Sequence, residues 1–216
     1  MCPSSLRSHL HMCAGHFHVR RHMPLPHQGE DTSDAALWRV GRNLACFQQI
    51  EAALKSLLPT TEVSGTVAKI EAQIRERQRG AKKASLGTLA KSYEQQMLNG
   101  PPPEIELEVG KEVVVSFSRF IEASPETLKE MKSQWRRLVK ERNQLVHSTL
   151  IAYDLDSTEG CSALTELLDA QYERARQLLD RLVHHQKARA LAVSAFLQLV
   201  ESDQLSHLIH STPNDA

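Results

Sequence analysis

A chain of 216 residues is long enough for one domain with a sizeable core and short for two complete ones. Its 41% hydrophobic and 24% charged residues are those of an ordinary globular protein, which excludes a fibrous or low-complexity chain. Lys plus Arg equals Asp plus Glu at 26 each, so no global basic field points to nucleic acid and only a local one can.

No apolar run reaches the length of a membrane span, and no signal-peptide core is present. The four cysteines, Cys2, Cys13, Cys46 and Cys161, are scattered, and Cys46 and Cys161 fall in helical contexts that suit reduced, buried thiols. The expectation is a cytoplasmic protein with no membrane partner.

Residues 1–34 differ from the rest. They hold six of the eleven histidines (His9, His11, His16, His18, His22, His27), two cysteines and no helical period. Cys13, His16 and His18 are close enough to suggest zinc, but Cys-x2-His-x-His is not a standard ligand spacing, so no metal is expected. The segment reads as disordered, or as sequence upstream of a true start at Met23.

The folded part is expected over residues 35–208, with a flexible tail over 209–216. It opens at the cap cluster Asp31-Thr32-Ser33-Asp34, followed by Leu37, Val40, Leu44, Phe47, Ile50, Leu54 and Leu57 at helical spacing until Pro59. A second helix is predicted after Thr60-Thr61-Glu62, with Val63, Val67, Ile70 and Ile74 inward. It runs into residues 75–83, where Arg75, Arg77, Arg79, Lys82 and Lys83 stand against Glu76 alone. Such a run is either a solvated helix end, where cations suit the helix dipole, or a patch that binds RNA phosphates.

A third helix carries Leu86, Leu89, Tyr93 and Met97 and stops at Asn99-Gly100-Pro101-Pro102-Pro103. The period then changes to two. Ile105, Leu107 and Val109 alternate with glutamates, and Val113, Val115 and Phe117 follow Gly110-Lys111, which predicts a β-hairpin at about 104–120. A lone hairpin is marginal in water and should lie on the bundle or pair across a dimer. Ser124-Pro125-Glu126 caps a helix predicted over 125–150. After a polar loop at 153–160, apolar residues from Leu164 to Val200 fit one helix of about forty residues or two joined near His184-His185. The fold class is therefore mainly α: a helical bundle with an inserted or appended β-hairpin.

The informative stretch is Arg142-Asn143-Gln144-Leu145-Val146-His147. Leu128, Met131, Trp135, Leu138, Leu145 and Thr149 form an apolar stripe, and the position after Leu138 carries Arg142 instead. A half-buried Arg is costly unless partnered. Either a carboxylate of the next helix, Glu166 or Asp169, pairs with it, or the Arg serves an anion. Asn143 and His147, four residues apart, share a helix face.

An Arg-Asn-x-x-x-His sequence late in a long helix of an all-helical chain resembles the Arg-x4-His motif of the HEPN superfamily, helical-bundle proteins that include many metal-independent endoribonucleases of toxin–antitoxin, phage-defence and RNA-processing systems. The resemblance would span residues 35–208, with the β-hairpin as a departure from the minimal bundle. It implies RNA cleavage to a 2′,3′-cyclic phosphate and a 5′-hydroxyl without a cofactor. His147 would be general base or general acid, Arg142 would stabilise charge on phosphorus, and Asn143 would hold the phosphate or orient Arg142. It also implies a homodimer that supplies two histidines to one cleft, and it admits an antitoxin or nucleotidyltransferase partner.

Two rivals from other classes remain open. One is an RNA- or nucleotide-binding module of the same fold that does not cleave; the other is a structural protein that docks through its hairpin and last helix. No Gly-rich phosphate loop, His-Glu-x-x-His, Cys-x-x-Cys pair or Gly-x-Ser-x-Gly supports another enzyme class.

Overall fold

The computed structural model describes residues 32–100 and 115–201. These residues form five α-helices and a two-stranded antiparallel sheet, so the chain is mainly α as its periodicity implied. They divide at residues 180 and 181 into a larger and a smaller unit. The larger holds the packed helices described next; the smaller is the last part of the final helix, where Leu191 is exposed.

Helix α1 spans Ser33–Leu57, and the Thr32 side chain caps it by accepting from the Ala35 N–H at 3.3 Å. A short 3₁₀ turn, Leu58–Thr60, carries Pro59 and ends it. The predicted inward series is partly corrected: Leu37 is exposed and Leu44 half-buried, while Ala36, Asn43, Cys46 and Ala53 are buried. The inward face is thus rotated toward small or bondable side chains, because Asn43 finds partners on the final helix.

Strand β1, Glu62–Gly65, corrects a second expectation, since Val63 lies in it and not in a helix. It pairs with β2, Val115–Ser118, in the register Val63 opposite Phe117 and Gly65 opposite Val115. The pairing satisfies backbone groups that four residues could not satisfy locally. Gly65 has φ of 138°, which lets the chain leave the strand for the next helix. Strand β2 falls in the second half of the predicted hairpin; residues 104–114, with its first half and turn, lie outside the described residues.

Helix α2 covers Val67–Lys83 and α3 covers Leu86–Met97, the latter capped by Ser85 and burying Leu86, Leu89, Tyr93 and Met97 as expected. Helix α4, Pro125–His147, starts at the Ser124 cap with proline in its first turn. It packs antiparallel to α3. Asn99 meets Lys132 at 2.8 Å, Glu94 meets Arg136 at 3.1 Å, and the Tyr93 and Trp135 rings lie 4.8 Å apart. Leu138 and Leu145 complete the buried face of α4, each contributing about 1.5–3 kcal/mol on burial.

Helix α5 runs as a single helix over Thr158–Glu201, which answers the one-or-two question the sequence left. Ser157 caps it, its hydroxyl accepting from the Gly160 N–H at 3.0 Å. Gly160 is required there, because a Cβ would collide with the Asp154 carbonyl. Cys46 and Cys161 are free and buried, as expected. No helix among the described residues is long and apolar enough to cross a membrane.

Candidate functional site

The motif sits on the last two turns of α4. That helix stops at His147 because the Gln144 carbonyl takes three donors: the Ser148 N–H at 2.8 Å, the Thr149 N–H at 2.9 Å and the Ser148 hydroxyl at 3.2 Å. Thr149 is buried and anchors the exit, which leads into a 3₁₀ turn at Leu150–Ala152. His147 is therefore presented to solvent on a fixed backbone, with Val146, Leu150 and Ile151 exposed around it, Ile151 at 87%.

Arg142 is half-buried, as its place in the apolar register implied. Its Nη1 donates to Asn143 Oδ1 at 3.1 Å. Neither sequence-proposed carboxylate takes it. Asp169 accepts from Arg42 Nη2 at 2.7 Å and from Arg39 Nε at 3.2 Å, and Glu166 is exposed. The ion pair between α4 and α5 is made one residue earlier, where Glu141 accepts from Arg174 at 2.7 Å and from Arg137 at 2.9 Å. Among the described residues the Arg142 guanidinium has no acidic partner, which leaves its forked donors available to an anion.

Asn143 and His147 share the exposed face of α4. Arg142 stands five residues before His147, about 140° round the helix, so a single chain turns the two to different sides.

Behind the motif lies a buried polar network that the sequence reading missed. Asn43 on α1 donates to the Leu168 carbonyl and to Gln171 Oε1, both at 2.8 Å, and Gln171 donates to the Glu141 carbonyl at 3.3 Å. Arg42 lies beside it, 4.1 Å from the Tyr172 ring centre and 5.5 Å from that of Trp38. No break in the apolar spacing of α1 marked Asn43, because Leu44 beside it keeps the period. Together these contacts lock α1, α4 and α5 immediately before the motif.

The five basic residues of the run, Arg75, Arg77, Arg79, Lys82 and Lys83, are exposed along α2. Arg75 pairs with Glu71 at 3.4 Å, Arg79 pairs with Glu76, and Arg77 donates to the Glu62 carbonyl. These contacts stay within α2 and β1, so they do not join the run to the motif.

No group of three His, Cys, Asp or Glu side chains among the described residues could hold a metal ion, and Cys13, His16 and His18 lie outside those residues. A shallow, open depression at the start of α5 is lined by Thr158, Glu159, Ser162, Ala163 and Glu166, an acidic set unsuited to phosphate. No protein family, no curated protein and no solved structure matches this chain.

Proposed function

We infer that the protein is a metal-independent endoribonuclease of HEPN type, acting as a homodimer and cutting RNA at the exposed end of α4. The observation that carries this reading is an exposed His147 beside Asn143 on one face, with an acid-free Arg142 at the same helix end. In the reaction, a base takes the proton of a ribose 2′-hydroxyl and the 2′-oxygen bonds to phosphorus. The bond from phosphorus to the 5′-oxygen then breaks, and an acid supplies that oxygen with a proton. A 2′,3′-cyclic phosphate and a 5′-hydroxyl remain.

One imidazole cannot be both base and acid in the same turnover, and Arg142 faces away from the His147 of its own chain. A two-fold pairing of the α4 ends supplies a second histidine and a second guanidinium across one phosphate. The exposed Val146, Leu150 and Ile151 offer apolar surface for that contact. Location in the cytoplasm, a toxin or phage-defence role and an antitoxin or nucleotidyltransferase partner belong to the same reading.

The test is cleavage of a labelled RNA pool in EDTA by the wild type and by Arg142→Ala and His147→Ala, each checked for folding and dimerisation. Each substitution should slow cleavage by roughly 10²–10⁴-fold, and wild-type products should carry cyclic-phosphate ends. RNA binding without cleavage, weakened by Arg142→Ala and not by His147→Ala, would replace the nuclease with a binding module. Neither cleavage nor binding would leave a structural protein.

A further inference from the structure

Lys129, Lys132, Arg136, Lys140, Asn143 and His147 follow one another along α4 at steps of three and four residues. At about 100° per residue they occupy one strip roughly 80° wide. All are exposed except Lys132, which is half-buried. The acids of the helix, Glu126, Glu130 and Glu141, fall outside the strip, and Glu141 is taken up by Arg174 and Arg137.

Neighbouring elements neutralise little of it. Arg136 pairs with Glu94 of α3, and Lys132 donates to the uncharged Asn99. Lys91, one turn before Glu94 and exposed, adds a cation on the α3 side. From Lys129 to His147 the strip spans 18 residues at about 1.5 Å each, about 27 Å, and its cationic part leads to the motif.

We propose that this strip is a track for the phosphate backbone of single-stranded RNA, leading the strand to His147, and that α4 supplies more of the electrostatic binding than the basic run of α2. The strip contains no Phe, Tyr or Trp, and its cationic part from Lys129 to Lys140 has no ring at all, so that part contacts phosphates and not bases and tolerates any sequence. An unpaired strand fits the chemistry, because in-line attack by a 2′-hydroxyl needs a nucleotide free to rotate. The proposal rests on the nuclease reading for where the RNA is cut, but binding is measured without cleavage.

The experiment uses the full chain carrying His147→Ala, which keeps the probe intact, and a fluorescent single-stranded RNA of about 20 nucleotides. Its affinity is followed against salt for this parent, for the triple variant Lys129→Gln, Lys132→Gln, Lys140→Gln, and for the triple variant Arg75→Gln, Arg79→Gln, Lys82→Gln. The α4 triple should bind roughly tenfold or more weakly at about 100 mM salt, with a salt slope smaller by about 2, and the α2 triple should change affinity by less than about threefold. An α4 triple that binds like its parent, or an α2 triple that loses as much, overturns the track. If the α4 dependence holds while the wild type never cuts RNA, the cleavage reading alone fails.

Discussion

Helices α2 and α4 carry similar numbers of cations and arrange them differently. On α2 Arg75, Arg79, Lys82 and Lys83 share a side about 100° wide, but Glu71 and Glu76 border that side and pair with Arg75 and Arg79, while Arg77 stands about 200° from Arg75 and bonds to a β1 carbonyl. On α4 Lys129, Lys132, Arg136 and Lys140 recur at the helical period and gather on one side, with the acids, Arg137 and Arg142 elsewhere. Charge density along a sequence is not the field at a surface, and the less conspicuous arrangement makes the stronger strip.

The comparison extends to rigidity. Helix α4 is pinned from behind by Trp135 against Tyr93 and by the Asn43 network, whereas the run on α2 is held by exposed ion pairs of the kind worth about 0–1 kcal/mol. Trp135→Ala should therefore produce the largest effect, a loss of about 3–5 kcal/mol in chemical denaturation. A loss below about 1 kcal/mol would mean that α4 is not the anchored element.

The α1–α5 seam offers a second probe. Burial pushes the Cys46 thiol up to about 11, against a smaller opposite pull from Arg176 and Arg42. The unfolded chain therefore loses this proton first. Stability from this group is complete below about pH 8.5 and declines as pH rises toward 11, by roughly 2–3 kcal/mol. Cys46→Ala should flatten that alkaline decline in denaturation curves taken from pH 8 to 11.

Asn43→Ala should cost about 1–3 kcal/mol, since it leaves Gln171 Oε1 without its Asn43 donor and the Leu168 carbonyl with the longer Arg42 contact in place of the Asn43 bond. If the network positions the motif, the same change should also slow RNA cleavage; unaltered cleavage at full folding would confine Asn43 to stability. Smallest of all, Arg79→Gln should shift stability by no more than about 0.5 kcal/mol. A larger shift would show that the run on α2 is structural after all.

The fold class was legible because helix period, caps and prolines agree along most of the chain, as at Ser85 before Leu86 and Ser124-Pro125 before α4. Strand β1 was not, because four residues with one β-branched side chain carry no period and their partner lies about fifty residues on. Leu37 and Leu44 were read inward because hydropathy ranks them above Ala36 and Asn43, yet a polar side chain with two partners is buried in preference. Arg142 stood out by its place in the apolar stripe, and Asn143 and His147 by their shared helix face and by the family resemblance. The freedom of Arg142 from acids did not, because it depends on Asp169 being taken by Arg39 and Arg42 and on Glu141 being taken by Arg174 and Arg137.

Whether the end of α4 cuts RNA is decided by following one labelled RNA in EDTA with the wild type and with His147→Ala, reading bound fraction and cyclic-phosphate ends in the same samples. Equal binding by both proteins and cleavage by the wild type alone are the expected result. Cleavage by His147→Ala at the wild-type rate would contradict it, because the reaction would then not take place at the end of α4.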